Sequence, residues 1–321
     1  MASRISIRVL AKRSISLWSV VERNGSPMGL QNGGVSGSPQ TPHTSEVSKQ
    51  SGIFAFQHVR SLVGSTKPEL KDDTDDVPNM PRLSSSGTMG RRFYKKTHTK
   101  PAEDGSGYIV MLDGRELKTP ARKPLKVPNA ALALAIAAEW EWQQSGIRPY
   151  TMPMMKLAAT SIDQIPRDRE RVIHTLLKYF HTDSLCLRAE DTDPVAEKQS
   201  AVWDPLIDWA EQEIGERPAV TSSIFGTTQP SHVLEAMEKV LMQSSDWQLA
   251  AIDWLAGTAR SLIVALAIAR GRLGIEEAME VIRLEENHQV EEWGYVEGGH
   301  DIDEADMRVK IAACSVFMRL L

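Results

Sequence analysis

Two kinds of hydrophobic pattern divide the chain. Tyr108-Ile109-Val110-Met111-Leu112 is a short β-favouring run that leads through Asp113-Gly114 into Arg115-Glu116-Leu117-Lys118. Asp-Gly between two such runs is the strongest short-range hairpin signal. Residues 91–96, with Phe93 and Tyr94, read as a preceding strand, and residues 124–127 as a following edge. A hairpin cannot stand alone in water, so another element must cover it. Residues 129–144 are suited to this: Asn129 can cap a helix, the interior is mostly Ala and Leu, and Gly146 stands just past the end. Leu132, Ile136 and Trp140 fall on one face of that helix, and Trp142 points elsewhere.

A Met-rich segment, Met152-Pro153-Met154-Met155, leads through 157–165 to Pro166, and helical periodicity dominates from there. The spacing predicts helices over 167–180, 194–214, 231–243, 246–270, 275–292 and 303–319. Only 184–188 and 220–225 look extended. From Leu262 the 246–270 segment is apolar on nearly all sides, which suits the central helix of a bundle. The expected fold class is α+β. A small β-rich N-terminal domain with one covering helix spans 91–165, and a larger all-α, bundle-like C-terminal domain spans 166–321.

The first 90 residues read differently. Residues 1–23 interleave Arg4, Arg8, Lys12, Arg13 and Arg23 with serines and a single acid, Glu22. That is the signature of an organellar transit peptide, and the spaced arginines on an amphipathic pattern favour a mitochondrial over a plastid address. Residues 24–90 are rich in Gly, Ser, Pro and Thr and read as a disordered linker, because such a composition buries too little apolar area to offset ordering entropy. The acidic run at 72–76 lacks the glycine and distal glutamate of a calcium loop.

Charge sharpens this division. The net charge of −5 over 321 residues separates into +3 for 1–90 and −8 for 91–321. An acidic folded part argues against a nucleic-acid binder, which needs a dense basic face. Two cysteines, Cys186 and Cys314, are too few for a disulfide scaffold. The apolar run at 262–269 is well short of the ~20 residues that span a bilayer. A soluble protein with no membrane insertion is expected.

The search for chemistry returns mostly negatives. There is no phosphate-cradling loop and no dinucleotide fingerprint, so no nucleotide and no cofactor are expected. Glu285-x-x-His288, with His300 and Asp301 downstream, is the best metal candidate. It supports one alternative reading, a metal-dependent hydrolase using Glu285, His288 and His300. A di-iron bundle, however, needs two Glu-x-x-His pairs on different helices. On a helical wheel Ile275, Met279, Ile282, Glu286, Val290 and Trp293 form one stripe with Gln289 beside it. A carboxylate inside an apolar stripe must be paired, protonated or facing a partner, or else the helix ends or bends before Glu286 and leaves it in water.

Several ordered motifs together resemble the mitochondrial F1-ATPase assembly chaperones that serve the alpha subunit, also called assembly factor 2. The resemblance covers about 91 to 321. It rests on Arg91-Arg92-Phe93-Tyr94-Lys95, Leu112-Asp113-Gly114-Arg115 with Leu117-Lys118-Thr119-Pro120, and Ala137-Ala138-Glu139-Trp140. It continues in Trp203-Asp204-Pro205-Leu206, Leu284-Glu285-Glu286, Glu292-Trp293-Gly294 and His300-Asp301. The resemblance implies a non-enzymatic chaperone of the mitochondrial matrix that holds the unassembled alpha subunit until the beta subunit joins it. It also implies weight on Glu285 or Glu286 and on Trp140. The wheel favours Glu286, with Glu285, Gln289, Glu292 and Trp293 completing an expected client surface and Asp301 nearby. A structural subunit of the ATP synthase is a third reading.

Overall fold

The computed structural model describes residues 90–321 apart from Asp191 and 224–227. The transit peptide and linker expected before Gly90 lie outside the described residues, as does the end of the extended segment expected over 220–225.

Strands β1 (Thr97–Pro101), β2 (Tyr108–Leu112), β3 (Arg115–Glu116) and β4 (Lys126–Val127) form an antiparallel sheet with β2 in the middle. β1 pairs with all of β2, from Thr97 opposite Leu112 to Pro101 opposite Tyr108. β3 and β4 share the other edge, with Leu112 opposite Arg115 and Tyr108 opposite Val127. The hairpin falls at Asp113-Gly114, where φ is 47° and 86°, the mirror-image turn that matches strand twist. The first strand does not lie at 91–96. The Asp113 carboxylate accepts the backbone N–H groups of Lys95 and Lys96 at 2.7 and 2.8 Å, which holds them in the turn, and the ladder starts only at Thr97.

Helix α1 (Ala130–Glu141) covers the sheet. Asn129 caps it by accepting from the Leu132 N–H, and the helix closes at Trp142, short of Gly146. Leu132, Ile136 and Trp140 are buried and join Val110 and Leu112 of β2, while Ile109 and Met111 meet Ala102 on the sheet's other face. Trp142 is 69% exposed.

Nine helices follow among the described residues: α2 (Pro153–Asp163), α3 (Ile165–His181), α4 (Pro194–Ile214), α5 (Ser231–Gln243), α6 (Asp246–Ala259), α7 (Leu262–Ala269), α8 (Ile275–Ile282), α9 (Leu284–Trp293) and α10 (His300–Arg319). One hydrophobic cluster runs from Tyr94 to Phe317 through all of this. At its centre stands α7, buried from Leu262 to Ile268.

The expected 246–270 helix is two helices. Arg260 adopts φ 53°, Ser261 caps α7 by accepting from the Val264 N–H, and the wholly buried Asp183 accepts from Leu262 and Ile263 at 2.7 and 3.1 Å. A carboxylate from a distant segment thus meets the orphan donors of a new helix start. Asp183 also caps the short 3-10 turn Ser184–Cys186, which replaces the extended run expected there. The expected 275–292 helix likewise breaks, at Arg283, where ψ is 11°.

Candidate functional site

The break at Arg283 rearranges the predicted stripe. Ala278, Met279 and Val281 of α8 pack into the core, and on α9 only Leu284 is buried. The indole N–H of Trp203 on α4 donates to the Val281 carbonyl at 3.1 Å and fixes where α8 ends. Beyond that point Glu286 is not inside an apolar stripe. It lies 3.0 Å from a guanidinium nitrogen of Arg283, whose side chain is only 5% exposed. Arg283 also faces Glu304 of α10 at 4.0 Å, Glu304 pairs with Arg308, and Arg308 reaches Glu276 of α8. A buried guanidinium needs such carboxylates, because an uncompensated buried charge is expensive.

The other predicted residues divide between two directions. Glu285 turns toward α4 and accepts from the Gln199 side chain at 2.7 Å, and loss of water around its carboxyl raises its pKa. Glu291 is held by Lys198 of the same helix at 2.7 Å, and that bond lowers its pKa. Gln289, Glu292 and Trp293 face solvent, with Trp293 77% exposed. Asp301 is exposed in the first turn of α10, where the helix dipole favours a negative charge. Trp140 is elsewhere, buried under Tyr94, whose hydroxyl donates to the Trp140 carbonyl at 2.6 Å.

Glu285, His288 and His300 do not converge. His288 lies against Lys198 and Glu292, while His300 accepts from the Val296 N–H and meets the Tyr295 ring edge-on. Among the described residues no group of three or more His, Cys, Asp or Glu side chains is placed to hold a metal ion. Cys186 and Cys314 are buried thiols whose pKa burial raises.

What the structure does assemble is an acidic elbow. Residues 284–304 carry eight carboxylates and no Lys or Arg, which equals the whole excess of acid over base between 91 and 321. Tyr295, Val296 and Ile302 stand 49–61% exposed along the same elbow as Trp293. Gly294 and Gly298, at φ 88° and 75°, turn the chain between the two helices. Glu297, Asp301 and Asp303 have no ion pair among the described residues. Arg283, Gln199, Lys198 and Trp203 position the elbow, and the periodicity does not reveal them. A charge count in a sliding window reveals the acid concentration directly.

Comparison with known proteins bears on this architecture. A family model for the ATP12 chaperone protein matches residues 91–211. "Protein atp12, mitochondrial" of Schizosaccharomyces pombe is 30% identical over 243 residues, covering 72% of this chain and 83% of that protein. The chain belongs to the ATP12 chaperone family. Another similar ATP12 protein, the mitochondrial one of Saccharomyces cerevisiae, is 23% identical over 78% of this chain and 89% of its own length. The crystal structure of Atp12 from Paracoccus denitrificans superposes with a TM-score of 0.66 at 32% identity, covering 72% of this chain and 98% of that one. The small sheet followed by a helical bundle is therefore the ATP12 fold. The family-model match ends within α4, before the elbow.

Proposed function

We propose that this ATP12-family chaperone holds the unassembled alpha subunit of mitochondrial F1-ATPase in the matrix, through the acidic elbow, until the beta subunit displaces it. The observation that carries the reading is the coincidence of eight carboxylates with four exposed apolar side chains over 284–304. An exposed apolar patch ringed by charge is the usual form of a protein-binding surface. Its apolar side chains supply affinity, and its charges select the partner and set the register. The mitochondrial relatives and the sequence of residues 1–23 support the location. Release by competition needs no catalytic group and no nucleotide, which fits a non-enzymatic role.

The test is suppression of alpha-subunit aggregation by purified variants. Trp293→Ala leaves the fold intact and weakens capture by about tenfold or more, as loss of a central aromatic anchor does. Glu286→Lys places an ammonium beside Arg283 and abolishes capture. Both variants holding the client as well as the wild type, while folded by circular dichroism, would overturn the site. Equal protection of the alpha subunit and of unrelated aggregating proteins would overturn the client.

A further inference from the structure

A second surface, away from the elbow, carries the opposite charge. Phe93, Trp142 and Tyr150 are 63–69% exposed, more than any other aromatic side chains of the described residues except Trp293. All three sit on segments tied to the buried Gln143. Arg92 donates to its carbonyl, its side-chain oxygen accepts from the Arg148 N–H, and its side-chain nitrogen donates to Thr151. The backbone at Arg91 bridges Gly146, closing the knot. Arg91, Lys95, Lys96 and Arg148 are exposed around these rings and form no ion pair among the described residues. Two acids on this surface are engaged: Glu141 lies 3.4 Å from Arg92 and accepts from Thr97, and the Asp113 carboxylate accepts the backbone N–H groups of Lys95 and Lys96.

We propose that this knot is a peripheral docking surface for an anionic phospholipid bilayer. Protruding Trp, Tyr and Phe rings suit the headgroup boundary, where an amphipathic ring meets both phases. Lysine and arginine among them meet lipid phosphates, and each adds to attraction by an anionic surface. The same field repels the elbow. α10, about 30 Å long at 1.5 Å per residue, runs from the elbow to its Leu320 end, where Asn129 at the start of α1 donates to the Leu320 carbonyl.

The experiment is vesicle flotation of the full chain, with phosphatidylcholine alone against mixtures containing an anionic phospholipid, and with acyl-brominated lipid as a depth probe. The wild type floats with anionic vesicles, is released by salt, and its tryptophan emission is quenched. Lys95→Gln/Lys96→Gln/Arg148→Gln lowers partitioning by about tenfold or more, since each base near an anionic surface contributes roughly fivefold. Trp142→Phe still floats but loses quenching, which separates this surface from the arginine-rich segment at 1–23, unchanged in that variant. Equal quenching of wild type and Trp142→Phe would overturn the proposal. So would equal flotation of the wild type and the triple variant, or wild-type protein that ignores anionic vesicles and instead binds an acidic protein through these bases.

Discussion

Trp140 and Trp293 lie on one chain in opposite settings. Trp140 is 7% exposed, stacked edge-on against Tyr94 at 5.6 Å, and helps to join the sheet to α1. Trp293 is 77% exposed at the end of α9, among carboxylates. The first is a residue on which the fold depends, and the second a residue that the fold holds out. The same contrast applies to charge. Around Trp140 the acids are engaged by backbone and by Arg92, while at the elbow Glu297, Asp301 and Asp303 remain in water. A structural tryptophan and a binding tryptophan therefore look alike as sequence and differ in what surrounds them.

Substitution separates the two most strongly. Trp140→Ala empties a core position and costs about 3–5 kcal/mol. Its indole N–H has no hydrogen-bond partner, so Trp140→Phe loses no polar contact, leaves a smaller cavity and costs less than Trp140→Ala. Trp293→Ala changes stability by no more than about 0.5 kcal/mol, as exposed positions do. Urea denaturation of the three variants checks the order. A Trp293→Ala loss as large as that of Trp140→Ala would erase the distinction.

How much of this is legible in the sequence depends on where the stop signals lie. The Asp113-Gly114 hairpin and the Asn129 cap are local, written in residues that few other conformations favour, and both are found where expected. The helix breaks at Arg260 and Arg283 contain neither glycine nor proline. At Arg260 a stop comes from Asp183, 77 positions earlier, which no periodicity reveals. At Arg283 one residue leaves the helical region and rephases everything after it, so a wheel drawn across 275–293 places Glu286 in an apolar stripe that ends at Leu284. The exposure of Trp293 follows from that same break. The acid concentration at 284–304 needs no structure, but its meaning as a surface depends on the glycines that turn the chain between α9 and α10.

A smaller effect tests whether the elbow is built on its buried guanidinium. Arg283→Met removes the group shared by Glu286 and Glu304, both 36–43% exposed and able to regain water. The expected loss is about 1–2 kcal/mol, below that of a fully buried pair, together with weaker client capture. Lys198→Ala breaks only an exposed pair to Glu291 and costs about 0–1 kcal/mol. Differential scanning calorimetry distinguishes the two. Equal destabilisation would mean that Arg283 does not anchor the elbow.

Another contrast is in pH. Glu139, next to Trp140, accepts the Met154 and Met155 N–H groups at the start of α2 at 2.7 and 2.8 Å. Loss of water nevertheless outweighs those bonds and raises its pKa from 4.5 to about 7. The folded protein then holds this proton more tightly than the unfolded chain does. Its stabilising contribution is complete below about pH 4.5 and falls as pH rises through about 7, by on the order of 3 kcal/mol. Glu139→Gln cannot ionise, so its stability profile lacks that decline, although the amide accepts less well from two N–H donors. Denaturation midpoints of wild type and Glu139→Gln measured between pH 4.5 and 8 should diverge in slope. Parallel profiles for wild type and Glu139→Gln would show that burial beside Trp140 does not shift this acid, and the electrostatic half of the comparison would fail.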